Sequence, residues 1–137
     1  MNNLTLPTND IQRLEPLLMR LETSDEWSAN SHLGLLSKKL ADCRETDPQH
    51  VPADVVTMNS RVRIREAGRP RELEYTLVFP SEANPPESRI SVLTPVGAAL
   101  LGSRVGKKAH IVTPKGSRKI LVVQLVFQPE SAGRYDL

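Results

Sequence analysis

The hydrophobic spacing of this chain changes period once, and that change limits what it can fold into. In residues 9–22, Ile11, Leu14, Leu17, Leu18 and Leu21 recur every three or four positions and share one helical face. Thr8 is placed to cap this helix, and Pro16 inside it is expected to kink or interrupt it. A second helix fits residues 28–45, where Ala29, Leu33, Leu36, Leu40 and Cys43 step by four and three as an a/d seam. Lys38, Lys39, Asp42 and Arg44 fall off that seam. Helices this short are marginal alone, so each is expected to bury its seam against the other in an antiparallel hairpin.

Beyond residue 57 the period becomes two. Val62 and Ile64 alternate with Arg61, Arg63 and Arg65, and Leu73, Tyr75, Leu77 and Phe79 share one face of a second strand. Pro80 to Pro86 reads as a loop and residues 89–93 as a short strand. Thr94-Pro95-Val96-Gly97-Ala98-Ala99-Leu100-Leu101-Gly102 then reads as a single helical turn or two. Thr94 is the cap, Pro95 the first helical residue and Gly102 the stop. Strands are expected at 109–113 and 118–127, the second apolar on both faces and therefore central in its sheet. The expected fold class is α+β. Its expected parts are a hairpin over 1–46, a linker over 47–57 marked by Asp47-Pro48 and Pro52, and a sheet domain over 58–137.

Charge divides along the same line. Residues 1–54 carry five Lys/Arg against nine Asp/Glu, and residues 55–137 carry thirteen against seven, so an acidic front meets a basic back. No apolar run approaches the ~20 residues of a membrane span, and there is no charged n-region before an apolar h-region. Cytoplasm is the default compartment. With Cys43 alone, no internal disulfide and no multi-cysteine metal site can form.

Catalytic signatures are missing. His32, His50 and His110 have no cysteine or carboxylate partner at ligand spacing, and neither a P-loop nor a GxGxxG is present. Cys43 on the apolar seam reads as a buried small hydrophobe. Asp25 and Glu26, between the two helices, either favour the second helix's N-terminus or hold Mg²⁺ through oxygen ligands. Trp27 beside them reads as a staple closing the tip. Arg61, Arg63 and Arg65 fit a solvated strand face better than a nucleic-acid patch, because the few aromatics sit at core-facing positions. No catalytic residue, metal or cofactor is expected.

Three blocks carry a resemblance: Val56-Thr57-Met58-Asn59-Ser60-Arg61-Val62, the Ile90–Leu101 stretch, and Val126-Phe127-Gln128-Pro129-Glu130. Together they resemble the family of regulators of nucleoside diphosphate kinase, relatives of the Gre transcript factors, in which Ser-Pro usually stands in place of Thr94-Pro95. The resemblance implies an N-terminal antiparallel coiled coil followed by an FKBP-like domain with an antiparallel sheet and one short helix. It implies a monomer that binds RNA polymerase at its secondary channel, on a coiled coil of the largest subunits. It places Thr94, Pro95, Val96 and Gly97 in the docking surface and implies no membrane partner and no sequence-specific nucleic-acid contact. In Gre factors an acidic tip brings Mg²⁺ to the polymerase active centre. Here each arm of about 14 to 17 residues would reach only about 21–26 Å. Competition with Gre-type factors, without cleavage, is therefore the leading expectation. Transcript cleavage through Asp25 and Glu26 is one alternative. Proline isomerisation is another, although it needs an aromatic-lined pocket.

Overall fold

The computed structural model describes residues 4–21, 32–66, 68–113 and 116–134. Strand β1 (Thr5–Pro7) leads directly into α1 (Thr8–Leu21), and α2 (His32–Asp42) leads into β2 (Arg44–Thr46). β1 and β2 pair in parallel, Thr5 opposite Arg44 and Pro7 opposite Thr46, so the two helices form the crossover of a small parallel ribbon. Thr8 is the first helical residue, and its hydroxyl donates to the Thr46 carbonyl at 3.1 Å. α1 runs through Pro16 as one helix. The ring forgoes only the amide bond to the carbonyl four residues earlier.

The main sheet is formed by β3 (Arg61–Glu66), β4 (Glu72–Val78), β5 (Arg89–Ser91), β6 (Lys108–Thr113) and β7 (Gly116–Phe127), in the order β5-β4-β3-β7-β6. Between β5 and β6 lies α3 (Pro95–Leu100). β7 is flanked by β3 and β6, the interior position its apolar run predicts. Only one of its faces is fully buried, with Ile120 and Val122 in the core and Val126 exposed. The alternation in β3 likewise follows the pleat: Val62 and Ile64 are buried while Arg61 and Arg65 are exposed.

Two expectations about the fold do not hold. The sheet is mixed, not antiparallel. The loop with short 3-10 turns at Pro80–Glu82 and Pro85–Glu87 carries the chain back and turns it again, so β5 runs parallel to β4, Leu77 opposite Ile90. Nor do α1 and α2 bury their seams only on each other as a separate hairpin. Ile11, Leu14 and Leu18 of α1 and Leu36 and Leu40 of α2 belong to the same core cluster as Met58, Val62, Leu100, Leu101 and Ile120. A helix of 11 or 14 residues gains more by covering a sheet and a neighbouring helix than by pairing alone. Among the described residues the architecture is thus three α-helices over a curled mixed five-stranded sheet with one continuous core.

Residues 51–60 are drawn into that core. Val55 and Val56 are fully buried, and Val55 bridges to Arg104. No helix among the described residues is long and apolar enough to cross a membrane.

Candidate functional site

The Thr94–Gly102 segment is fastened at both ends. Thr94 caps α3: its Oγ1 accepts from the Gly97 amide at 3.1 Å and donates to the Ser91 carbonyl at 2.7 Å. Pro95 takes the first helical position, where no amide is needed. At the far end Gly102 adopts φ +80, and its amide donates to Val56 at 2.8 Å. Gly97 has another reason to lack a side chain. A Cβ there would lie 2.1 Å from the Ser91 carbonyl oxygen, so α3 can sit this close to β5 only with glycine.

The segment divides into two parts by exposure. Thr94 is exposed and Pro95 and Val96 are half-buried, whereas Gly97 to Gly102 are buried. Ala98, Leu100 and Leu101 join the core and Val96 packs partly against it, so Thr94 and Pro95 form the outward corner on a braced backbone.

Helix α2 clamps this segment from outside. His32 Nε2 donates to the Leu93 carbonyl at 2.8 Å, just before α3. Lys39 Nζ donates to the carbonyls of Ala98, Ala99 and Leu101 at 2.8, 3.1 and 3.1 Å, just where α3 runs out of amides. A cation at a helix C-terminus also opposes the negative end of the macrodipole. Burial lowers the Lys39 pKa to about 8. The heptad pattern placed Lys39 off the apolar seam; only its spacing from His32, two turns earlier on α2, hints at a shared face.

A second polar cluster holds the Met58 turn. Asn59 has φ 66, and the buried hydroxyls of Thr57 and Ser60 lie 3.0 Å apart. Thr57 donates to Glu130 Oε1 at 2.6 Å, and the Met58 amide donates to Asp10 Oδ2 at 2.9 Å. Asp10 also accepts from Arg13 at 2.7 Å, and Arg13 stacks on the Phe79 ring at 4.7 Å. Burial, against the opposing bond from Met58, pushes the Asp10 pKa up to about 6.

The remaining candidate residues are not gathered into a reactive set. His50 is exposed beside Asp47, and His110 lies exposed on β6. Cys43 is half-buried, its thiol donates to the Leu40 carbonyl at 3.3 Å, and burial pushes its pKa up. On the sheet surface Arg61 and Arg63 lie beside Glu72 and Glu74 at 3.4–3.9 Å, which neutralises those two arginines of the row. Among the described residues no group of three His, Cys, Asp or Glu could hold a metal. Asp25, Glu26 and Trp27 lie outside the described residues.

Residues 51–126, more than half of the chain, match the family model for the transcription elongation factor GreA/GreB C-terminal domain. The chain belongs to the GreA/GreB family. Within it, the chain is 42% identical over 103 residues to the regulator of nucleoside diphosphate kinase of Escherichia coli strain K12, covering 74% of this chain and 76% of that one. The family resemblance carried by the Met-Asn-Ser-Arg and Thr-Pro-Val-Gly blocks is thereby sustained. The elongation factor GreA of Chlorobium phaeobacteroides is 36% identical over 96 residues, which cover 69% of this chain and 60% of that protein. These relatives are named as regulators and transcription factors, not as catalysts.

Among solved structures, a prokaryotic elongation factor GreA/GreB from Nitrosomonas europaea superposes with a TM-score of 0.73 at 33% identity. The match spans 91% of this chain and all of that one. The fold is therefore that of a Gre-like C-terminal domain, and the expected helical hairpin followed by an FKBP-like domain is set aside. The FKBP-like premise of proline isomerisation goes with it.

Proposed function

We propose that this Gre relative is a transcription regulator that binds RNA polymerase through the Thr94–Gly97 edge of α3. It acts by occupying the secondary-channel site that Gre-type factors use, without stimulating transcript cleavage. The observation that carries this reading is the division of the Thr94–Gly102 segment into an exposed corner and a buried anchor. Pro95 and the solvent-facing part of Val96, whose other side packs on the core, offer a small apolar contact whose backbone is fixed by the Thr94 cap, the Gly97 close approach and the Lys39 clamp. Such preorganisation lowers the entropy lost on docking. Occupancy is favoured over reach because α1 and α2 are committed to the core, and the 14 residues of α1 extend only about 21 Å. The name of the Escherichia coli relative, regulator of nucleoside diphosphate kinase, supports an effect on that kinase as a consequence of the same regulatory role.

The test is a pull-down on core RNA polymerase with and without a competing Gre factor. The parent chain is expected to bind and to be displaced. The double variant Pro95→Ala, Val96→Asp is expected to fold, as judged by its melting curve, and to lose binding. Equal binding and competition by that variant would remove the docking assignment.

A further inference from the structure

The main sheet ends differently at its two sides. Beyond β5 the chain closes the edge on itself: the Asn84 amide donates to the Arg89 carbonyl at 2.8 Å, and the Arg89 amide donates back to the Asn84 carbonyl at 3.1 Å. At the opposite edge β6 pairs with β7 alone, and no strand among the described residues covers its other side.

The register shows which backbone groups of β6 are left over. The Gly106 amide donates to the Val122 carbonyl at 2.8 Å, and the Val122 amide donates to the Lys107 carbonyl at 3.1 Å. This bulge makes Lys107 and Val122 a hydrogen-bonded position. Counting in twos along the antiparallel ladder, Ala109 and Ile111 turn their amides and carbonyls to Ile120 and Arg118 on β7. Lys108, His110 and Val112 turn theirs away from β7, over about 13 Å of strand. Ala109 from the buried face and Lys108, His110 and Val112 from the outer face all border one groove of about 740 Å³, facing a wall of α2 and α3. A groove that touches both faces of β6 and no residue of β7 follows the free edge of the strand.

Such an edge selects its ligand by geometry. Amides and carbonyls presented at every second residue are matched by another extended peptide. The two faces of an added strand then meet different chemistry. On one face its side chains stand beside Lys108 and His110, with Lys119 opposite His110 in the register; all three are exposed, and no carboxylate pairs with them among the described residues. On the other face its side chains meet Leu35 of α2 and Ala98 and Ala99 of α3. Asp42 is the single described carboxylate lining the groove, against Lys38, Lys107 and Lys108. A second copy of this chain would bring two like-charged edges together, which disfavours self-pairing.

We infer that the β6 edge accepts an extended segment of a partner protein as an added strand. In that segment acidic and apolar residues alternate, the acids toward Lys108 and His110 and the apolar side chains toward Leu35 and Ala98. The inference does not rest on the polymerase reading.

The probe is a capped, fluorescent peptide alternating glutamate and valine, titrated against the whole chain by anisotropy, with amide exchange followed by NMR. The peptide is expected to bind, and exchange at the Lys108, His110 and Val112 amides to slow about tenfold when it stands at ten times its Kd. The same peptide N-methylated at alternate amides keeps every charge and loses the ladder, so it should bind at least about tenfold more weakly. Lys108→Glu should weaken binding about tenfold, whereas Arg71→Glu, an equal charge change just before β4, should leave it unchanged. His110→Pro removes one outward amide and no bond to β7, and should weaken binding as much as N-methylation does. Melting curves establish that the variants fold, and the N-methylated peptide tests the ladder on the parent chain whatever His110→Pro does. Equal binding by the N-methylated peptide or by an RNA oligomer would overturn the inference, leaving charge attraction alone. No binding up to about 1 mM peptide would do the same. So would slow exchange at those three amides in the free chain, or a concentration-dependent dimer that protects them, because the edge would already be covered.

Discussion

Replacing Gly97 by alanine should destabilise this protein, although the same exchange inside an ordinary helix stabilises it by roughly 0.5–1 kcal/mol. The added methyl would sit 2.1 Å from the Ser91 oxygen and 2.9 Å from the Ser91 carbonyl carbon and Val92 Cα. All three are backbone atoms and cannot rotate aside. Either α3 or the end of β5 must shift by about 1 Å to restore normal contact. β5 is held to β4 through the Val92 amide on Val78 at 2.9 Å. The Ser91 carbonyl that must move accepts both the Thr94 amide at 3.1 Å and the Thr94 hydroxyl at 2.7 Å. Overpacking costs about 1–3 kcal/mol and each weakened hydrogen bond about 1 kcal/mol. Less the propensity gain, the net loss is about 2–4 kcal/mol, or roughly 6–12 °C in Tm for a chain of this size. Thermal and urea melts of parent and Gly97→Ala measure it, and Gly97→Ser should be at least as damaging. An unchanged or raised midpoint would refute the claim that close approach, not flexibility, selects glycine here.

Asp10→Asn should flatten the acid side of the stability profile. Between about pH 4 and pH 6 the folded chain keeps a proton on Asp10 that the unfolded chain has released, so stability from this group falls as pH rises, by on the order of 3 kcal/mol, and levels off above. Urea midpoints collected across that range should show the slope in the parent and a reduced slope in the variant. Lys39→Met should cost about 2–3 kcal/mol by leaving the carbonyls at the end of α3 without their cationic donor, read by chemical denaturation; an unaffected midpoint would mean the clamp is ornamental. Glu74→Gln, by contrast, should change stability by less than about 1 kcal/mol, because its pairs with Arg61 and Arg63 are solvent-exposed.

What could be read from the sequence was local. The period-2 alternation of β3 and the Thr-Pro cap of α3 depend on neighbours a few residues apart, and the structure bears them out, whereas β4 forms as expected without alternating: Leu73 is exposed and Leu77 and Val78 are both buried. The direction of β5 could not be read, because the two 3-10 turns in the preceding loop decide it. β1 and β2, three residues each, carry no periodicity and exist only as a pair closed across two helices. The partner of the α1 and α2 seams was misjudged for a related reason. An apolar stripe specifies that something must cover it, and the sheet domain satisfies Leu14 and Leu36 as well as a second helix does. Lys39 and Asp10 escaped attention because each is a charged residue on an amphipathic helix, where solvent is the default surrounding. Their burial is decided by carbonyls and an amide far along the chain.

The Met58 turn is held from two directions, by Asp10 near one end of the chain and by Glu130 near the other. During synthesis these anchors leave the ribosome at opposite times. The two helices emerge first, with their leucine faces uncovered, and the turn that receives Asp10 is not complete until Glu130 reaches the Thr57 hydroxyl. The turn is therefore completed late, across contacts 48 and 73 residues apart in the chain. The interval before it, when the early helices have nothing to cover them, is when a nascent chain of this kind is most exposed to aggregation and most in need of a chaperone.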